Sequence, residues 1–198
     1  MSETQWALAA PATLSQEIRK SRFVAHARRV AAPDEALDFV ARVGDPTATH
    51  NCWAYRIAQQ YRFSDDGEPA GTAGKPILQA IDGQGLDETV VVVTRWFGGI
   101  KLGAGGLVRA YGGCAAECLR LSAKVELIEL VQVEFTLPFA MLALVHSRLA
   151  ELHADKIAER FDATGAVLRL ALPSDRLSAL RALLADATRG RAQVKVLD

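Results

Sequence analysis

Residues 63–113 read FSDDGEPAGTAGKPILQAIDGQGLDETVVVVTRWFGGIKLGAGGLVRAYGG, and twelve of the chain's 15 glycines fall inside them. Glycine admits positive φ and lets backbone come close to backbone or to a ligand, at a cost in chain entropy. Two glycine-rich segments bracket the β-branched run 89–94 (TVVVVT), the pattern of a strand covered on both faces. Upstream, Asp65-Asp66-Gly67-Glu68-Pro69 is a turn by residue type. Thr72 is placed to cap a helix carrying Ile77, Leu78 and Ile81, with Pro76 confined to its first turn. Gly83 and Gly85 end that helix. Downstream, the glycine loop 98–106 leads into a second helix with Leu107, Tyr111, Cys114, Cys118 and Leu121 on one face.

Before this stretch, residues 1–12 read as an irregular or edge lead-in, and 21–30 (SRFVAHARRV) as a strand. Pro33-Asp34 opens a helix with Ala36, Val40 and Val43 at helical spacing, and Gly44 closes it. Trp53, Tyr55 and Ile57 alternate with smaller or polar residues, and 61–64 supplies a hairpin partner turning near Gln59-Gln60. Beyond a break at 123–126 the pattern is cleaner. Val131, Val133, Phe135 and Leu137 alternate with polar residues, and Pro138 opens a helix with Leu142, Val145, Leu149 and Leu152. Strands at 156–161 and 166–172 flank the turn 162–165. Ser174 is placed to cap a helix with Leu177, Leu180 and Leu184, ended by Gly190, and 193–197 is a last strand. The order β-α-β-β-α-β is ferredoxin-like. The expected class is α+β, with two domains, 1–125 and 126–198.

Composition narrows the function only broadly. Half of the 198 residues are hydrophobic and 23% are charged, as in a globular domain. Lys and Arg total 23, as do Asp and Glu, so bulk charge selects neither nucleic acid nor an anionic surface as partner. Three cysteines, an odd number, suit a reducing cytosol better than a disulfide framework. The N-terminus has an early acid and no basic lead before an apolar run, so no signal peptide is expected. No stretch reaches the ~20 apolar residues that span a bilayer.

Strand, glycine loop and helix in succession form an anion cradle, in which free N–H groups at a helix start face the ligand. Phe97, Gly98, Gly99, Lys101, Gly103, Gly105 and Gly106 would line it, with Arg95 and Arg109 adding charge. The loop matches neither the dinucleotide-binding glycine pattern nor a phosphate loop of the Walker type. Segment 71–76 (GTAGKP) misses the latter too, because Pro76 stands where Ser or Thr would hold magnesium. The alternative is that the glycines serve packing. Asp65, Asp66 and Glu68 are candidate bases or metal ligands, with ion pairing to Lys75 or Arg95 as the competing reading. Cys114 and Cys118 lie one helical turn apart among Ala115, Ala116 and Leu119, which reads as core; no metal site is expected.

The motifs FSDDGEPAGTAGKPIL (63–78) and VVVTRWFGGIKLGAGGLVRAYGG (91–113) closely resemble the signature of the YigZ/IMPACT family. Nearly the whole chain resembles the bacterial YigZ branch. Trp96-Phe97 departs from the pair of tyrosines that relatives often carry. The resemblance implies an N-terminal domain folded like the second domain of small-subunit ribosomal protein five. It implies a C-terminal ferredoxin-like domain similar to domain V of elongation factor G. Eukaryotic IMPACT restrains a starvation-activated initiation-factor kinase by competing for its activator, so the resemblance points to translation. It also leaves an enzyme open, because kinases of the galactokinase–homoserine kinase superfamily share the first fold, and KLGAGG (101–106) loosely echoes their phosphate loop.

The expectation is therefore a cytosolic binding protein without cofactor or catalytic residues, whose partner is RNA, the ribosome or a translation factor. Its binding surface joins Asp65, Asp66, Glu68, Thr72 and Lys75 to Arg95, Trp96, Phe97, Gly98, Gly99, Lys101, Gly103, Gly105, Gly106 and Arg109. A phosphate-binding enzyme using Asp65 or Asp66, and a pure protein–protein module, are the alternatives.

Overall fold

A computed structural model describes residues 5–197. The chain divides into two compact units, Met1–Leu127 and Ile128–Asp198. The first contains β1 (Gln5–Leu8), β2 (Ala12–Ile18), β3 (Ser21–Arg29), α1 (Pro33–Val43), β4 (His50–Ile57) and β5 (Gln60–Ser64). It continues with α2 (Gly74–Gly83), β6 (Thr89–Trp96), α3 (Ala104–Leu121) and β7 (Lys124–Leu127).

Five of its strands form one antiparallel sheet in the order β2-β3-β6-β4-β5. The valine run is the central strand, and its side chains split between two cores. Val91 and Val93 pack with Phe23, Ile77, Ile81, Leu107 and Tyr111 under α2 and α3. Val90 and Val92 pack with Phe39 of α1 and with Tyr55. Coverage of both faces is thus what the β-branched run encodes; it does not encode strand direction, since every pairing here is antiparallel.

The lead-in is more ordered than its composition suggests. β1 pairs with β7, Gln5 opposite Leu127, and β2 runs beside β3 from Ala12↔Ala27 to Ile18↔Ser21. Two helix details also differ from expectation. Leu121 is exposed rather than on the buried face of α3, because it ends the helix beyond the edge of the sheet's core. Thr72 does not cap α2; its hydroxyl donates to the Pro69 carbonyl at 2.6 Å.

The second unit contains β8 (Leu130–Pro138), α4 (Phe139–Arg148), β9 (Asp155–Phe161), β10 (Gly165–Pro173), α5 (Leu177–Thr188) and β11 (Lys195–Leu197). Its sheet order, β11-β8-β10-β9, and fully antiparallel pairing make it ferredoxin-like. Val133, Phe135 and Leu137 of β8 meet Leu168, Leu170 and Leu172 of β10 beneath Val145, Leu180 and Leu184 from the helices. Ser174 does not cap α5. A single 3-10 turn, Ser174–Arg176, precedes that helix, and the Ser174 hydroxyl bonds the Glu129 carboxylate at 2.9 Å.

Candidate functional site

The acidic turn is an internal fastening. The Asp65 carboxylate accepts N–H bonds from Gly71 at 2.8 Å, Ala73 at 3.0 Å and Gly74 at 2.8 Å. Ala73 and Gly74 are the N-cap and first residue of α2, whose N–H groups a helix start leaves free, so Asp65 caps α2 from nine residues upstream of Gly74, and Gly71 adds a donor from the preceding loop. Burial works to raise its pKa, but the three N–H donors outweigh burial and hold the carboxyl below its ordinary value. A Cβ on Gly74 would lie 2.7 Å from the Ser64 carbonyl oxygen, so only glycine lets α2 begin against β5. Asp66 is similarly engaged. Its carboxylate accepts the Asn51 N–H at 2.5 Å, and its carbonyl lies 2.6 Å from His50 Nδ1. A carbonyl can only accept, so Nδ1 carries the proton. In the neutral ring the Nε2 lone pair then faces Glu68 Oε1, 3.9 Å away.

Glu68 and Arg95 lie in the interior. Glu68 Oε1 accepts from Arg95 Nη1 at 2.6 Å and from the Tyr111 hydroxyl at 2.8 Å. Arg95 Nη2 reaches Ser21 Oγ at 3.4 Å, and the same oxygen accepts the Gly98 N–H at 3.2 Å. The guanidinium sits 5.5 Å from the Phe23 ring and 5.4 Å from Phe97, while its Nε has no partner among the described residues. Phe23 and Tyr111 meet edge to face at 5.2 Å. The Tyr111 phenol is pushed far up by burial and stays a neutral donor. The Cys52 thiol donates to the Asp65 carbonyl at 3.0 Å and is raised by burial to about 12. The acidic turn, β3, β6 and α3 are thereby tied at one point.

The expected surface accordingly loses part of its membership. Glu68, Thr72 and Arg95 are buried, and Asp65 and Asp66 spend their carboxylates on backbone N–H groups. Arg95 is withdrawn because Glu68, itself held by the Tyr111 hydroxyl, offers it a charge-assisted partner in a buried setting. Sequence reasoning did not find His50, Tyr111 or Ser21 as members of this cluster. The Trp96 side chain is half-buried beneath the Arg22 guanidinium, 4.1 Å from its ring centroid.

What remains outside is coherent. Phe97 and Ile100 are 46% and 40% exposed, large values for apolar side chains. Lys75, Lys101 and Arg109 are exposed, and none has an acidic partner among the described residues. Gly103, at φ +71, precedes α3 without any side-chain cap, and the first bond of the helix runs from the Leu107 N–H to the Gly103 carbonyl. The N–H groups of Ala104, Gly105 and Gly106 therefore have no helical acceptor. Gly98 serves packing, since a Cβ there would stand 1.8 Å from the Lys20 carbonyl oxygen; Gly99, at φ +86, serves the turn. A cavity of about 260 Å³ lies elsewhere, lined by Ala12, Leu14, Cys118 and Leu121 among others.

The Impact N-terminal domain matches residues 19–119, and a domain of unknown function, DUF1949, matches residues 135–191. An IMPACT family member in the pol 5′ region of Thermus thermophilus is 49% identical over 180 residues, 90% of this chain and 99% of its own length. The IMPACT family member YigZ of Escherichia coli (strain K12) is 38% identical over 197 residues, covering 96% of each chain. A solved structure described as that of a hypothetical protein is 37% identical, covers 100% of this chain and 99% of its own, and superposes with a TM-score of 0.69. The chain belongs to the IMPACT family.

Proposed function

We propose that this member of the IMPACT family is a non-enzymatic, cytosolic binding protein that regulates translation by contacting RNA, the ribosome or a translation factor. The contact is made by the loop after β6 and the start of α3. The observation that carries this reading is the grouping there of Lys101 and Arg109, two cations without an acidic partner among the described residues, with uncapped N–H groups and the exposed Phe97 and Ile100. Cations and free N–H groups suit phosphate or carboxylate, and exposed apolar side chains suit a base or a partner pocket. α2 packs on α3 through Pro76 and Gly112, so Lys75 projects from the neighbouring helix. The two carboxylates that a catalytic reading would need, Asp65 and Asp66, are instead occupied in holding backbone.

The test is fractionation of a cell lysate on a sucrose gradient, at low and moderate salt, with and without RNase. Wild type should travel with ribosomal particles or RNA, and Lys101→Glu/Arg109→Glu should remain at the top. If wild type also stays at the top under every condition, the proposed contact is wrong.

A further inference from the structure

The β2–β3 hairpin closes through two residues, Arg19 and Lys20, with Ile18 paired to Ser21. Both hold positive φ, +47° for Arg19 and +66° for Lys20. A two-residue hairpin turn of this kind favours Asn-Gly, because side-chain-bearing residues are strained in the left-handed region. Here the strained positions hold two long cations instead, and both are exposed. The turn does not stand alone. The Lys20 carbonyl oxygen occupies the space that a Cβ on Gly98 would need, and the next residue, Ser21, accepts the Gly98 N–H. One residue further, Arg22 lies over Trp96. The hairpin tip and the glycine loop are therefore one surface.

We infer that Arg19 and Lys20 are binding residues: the strained turn presents them, with Arg22 and Lys101, to the phosphates of a single-stranded RNA whose bases stack on Phe97. Retained strain is intelligible where the side chains have a task that Asn and Gly cannot perform. Four cations meet two acids at the margin, Glu17 opposite Arg22 in the strand register and Asp45 near the Arg22 guanidinium. An exposed aromatic ring among cations is the chemistry that holds unpaired bases and their backbone. This rests on the proposed role of the glycine loop and extends it to residues that the sequence signature does not include.

The experiment measures fluorescence anisotropy of a fluorescein-labelled 12-nucleotide single-stranded RNA over a series of KCl concentrations. Four proteins are compared: wild type, Arg19→Asn/Lys20→Gly, Arg19→Gln/Lys20→Gln and Lys101→Glu/Arg109→Glu. Each lost phosphate contact lowers the log–log salt slope by ~0.7, so both turn variants should lower it by about 1.4 and weaken binding roughly 25-fold at 0.1 M salt. The Asn-Gly variant should at the same time melt higher, by about 2–4 °C, as the strain is relieved. A purely structural turn gives the higher melting point with affinity and slope unchanged, which overturns the inference. If in that case the Lys101/Arg109 variant still loses binding, the glycine-loop reading stands alone. If wild type ignores RNA, or binds a poly-glutamate peptide in its place, the RNA inference is overturned, while the glycine-loop reading, which admits a carboxylate-bearing partner, is decided by the sucrose gradient.

Discussion

Arg95 Nη1 and Glu68 Oε1 lie 2.6 Å apart, with their side chains only 6% and 5% exposed. A pair so placed is informative mainly when broken, because removing one partner strands the other charge in a dry site at a cost of about 3–5 kcal/mol. Glu68→Gln and Arg95→Met should each destabilise the first unit by that order. The double replacement Glu68→Leu/Arg95→Met should cost clearly less than the two singles together. All three tryptophans, Trp6, Trp53 and Trp96, belong to this unit, so urea unfolding followed by tryptophan fluorescence reports on it alone. Additive single and double effects would show that the two side chains are not coupled.

Two glycines of the same signature should respond in opposite directions to alanine. At Gly98 the new methyl collides with the Lys20 backbone, and separating hairpin from loop costs on the order of 1–3 kcal/mol or more. At Gly113, inside α3, nothing lies within 4 Å of the added Cβ, and Gly→Ala in a helix gains about 0.5–1 kcal/mol. The same fluorescence titration compares them. Equal effects of either sign would mean that the close approach of Lys20 to Gly98 does not constrain the fold.

The contrast explains what the sequence could and could not disclose. The β-α-β-β-α-β order was legible because each element carries its own periodicity, as in Val133, Phe135 and Leu137 of β8. The pairing of β1 with β7 was not, since two four-residue strands more than a hundred residues apart share no local signal. The Arg19-Lys20 turn was hidden because it lacks the glycine or asparagine by which such turns are recognised. At the site, the glycine loops were visible by composition. An Asp-Asp-Gly-Glu turn suggests a surface acid at Glu68, with an ion pair to Arg95 as the competing reading; the fold makes the ion pair, and only the folded register adds Tyr111, donating to the same oxygen. Thr72 had the right residue type for a cap, but Asp65 had already gathered the donors.

Asp65 should make the first unit sensitive to acid in a defined window. Its folded pKa lies below the ordinary value of 3.8, so its carboxylate contributes stability that is fully present above that value and disappears as pH falls through the lowered one. Asp65→Ala should cost about 1–3 kcal/mol at neutral pH, the range for leaving buried N–H donors without an acceptor. The gap to wild type should close as pH drops below 4. A constant gap between pH 7 and pH 2 would assign the loss to packing and not to the charge.

The three thiols should be inert while the chain is folded. Burial raises Cys52 and Cys114 to about 12 and Cys118 to about 11, and all three are at most 2% exposed. At pH 8 a thiol of pKa 12 is ionised in roughly one molecule in ten thousand, against about a quarter for a free cysteine. Access and ionisation therefore act together, and a thiol-specific disulfide reagent should release no chromophore from native protein over an hour, then three equivalents in denaturant. Cys114 lies on the buried face of α3 with no exposure, so its labelling requires the helix to leave the sheet; Cys118, one turn on, lines the cavity beside β2 and is shielded by its 2% exposure. Labelling rate then measures opening of the first unit. It should rise in Glu68→Gln, whose Tyr111 hydrogen bond is weakened, and should be unchanged in Arg19→Gln/Lys20→Gln. Fast labelling of native wild type at one site would mean that α3 does not hold its cysteines as the geometry has them.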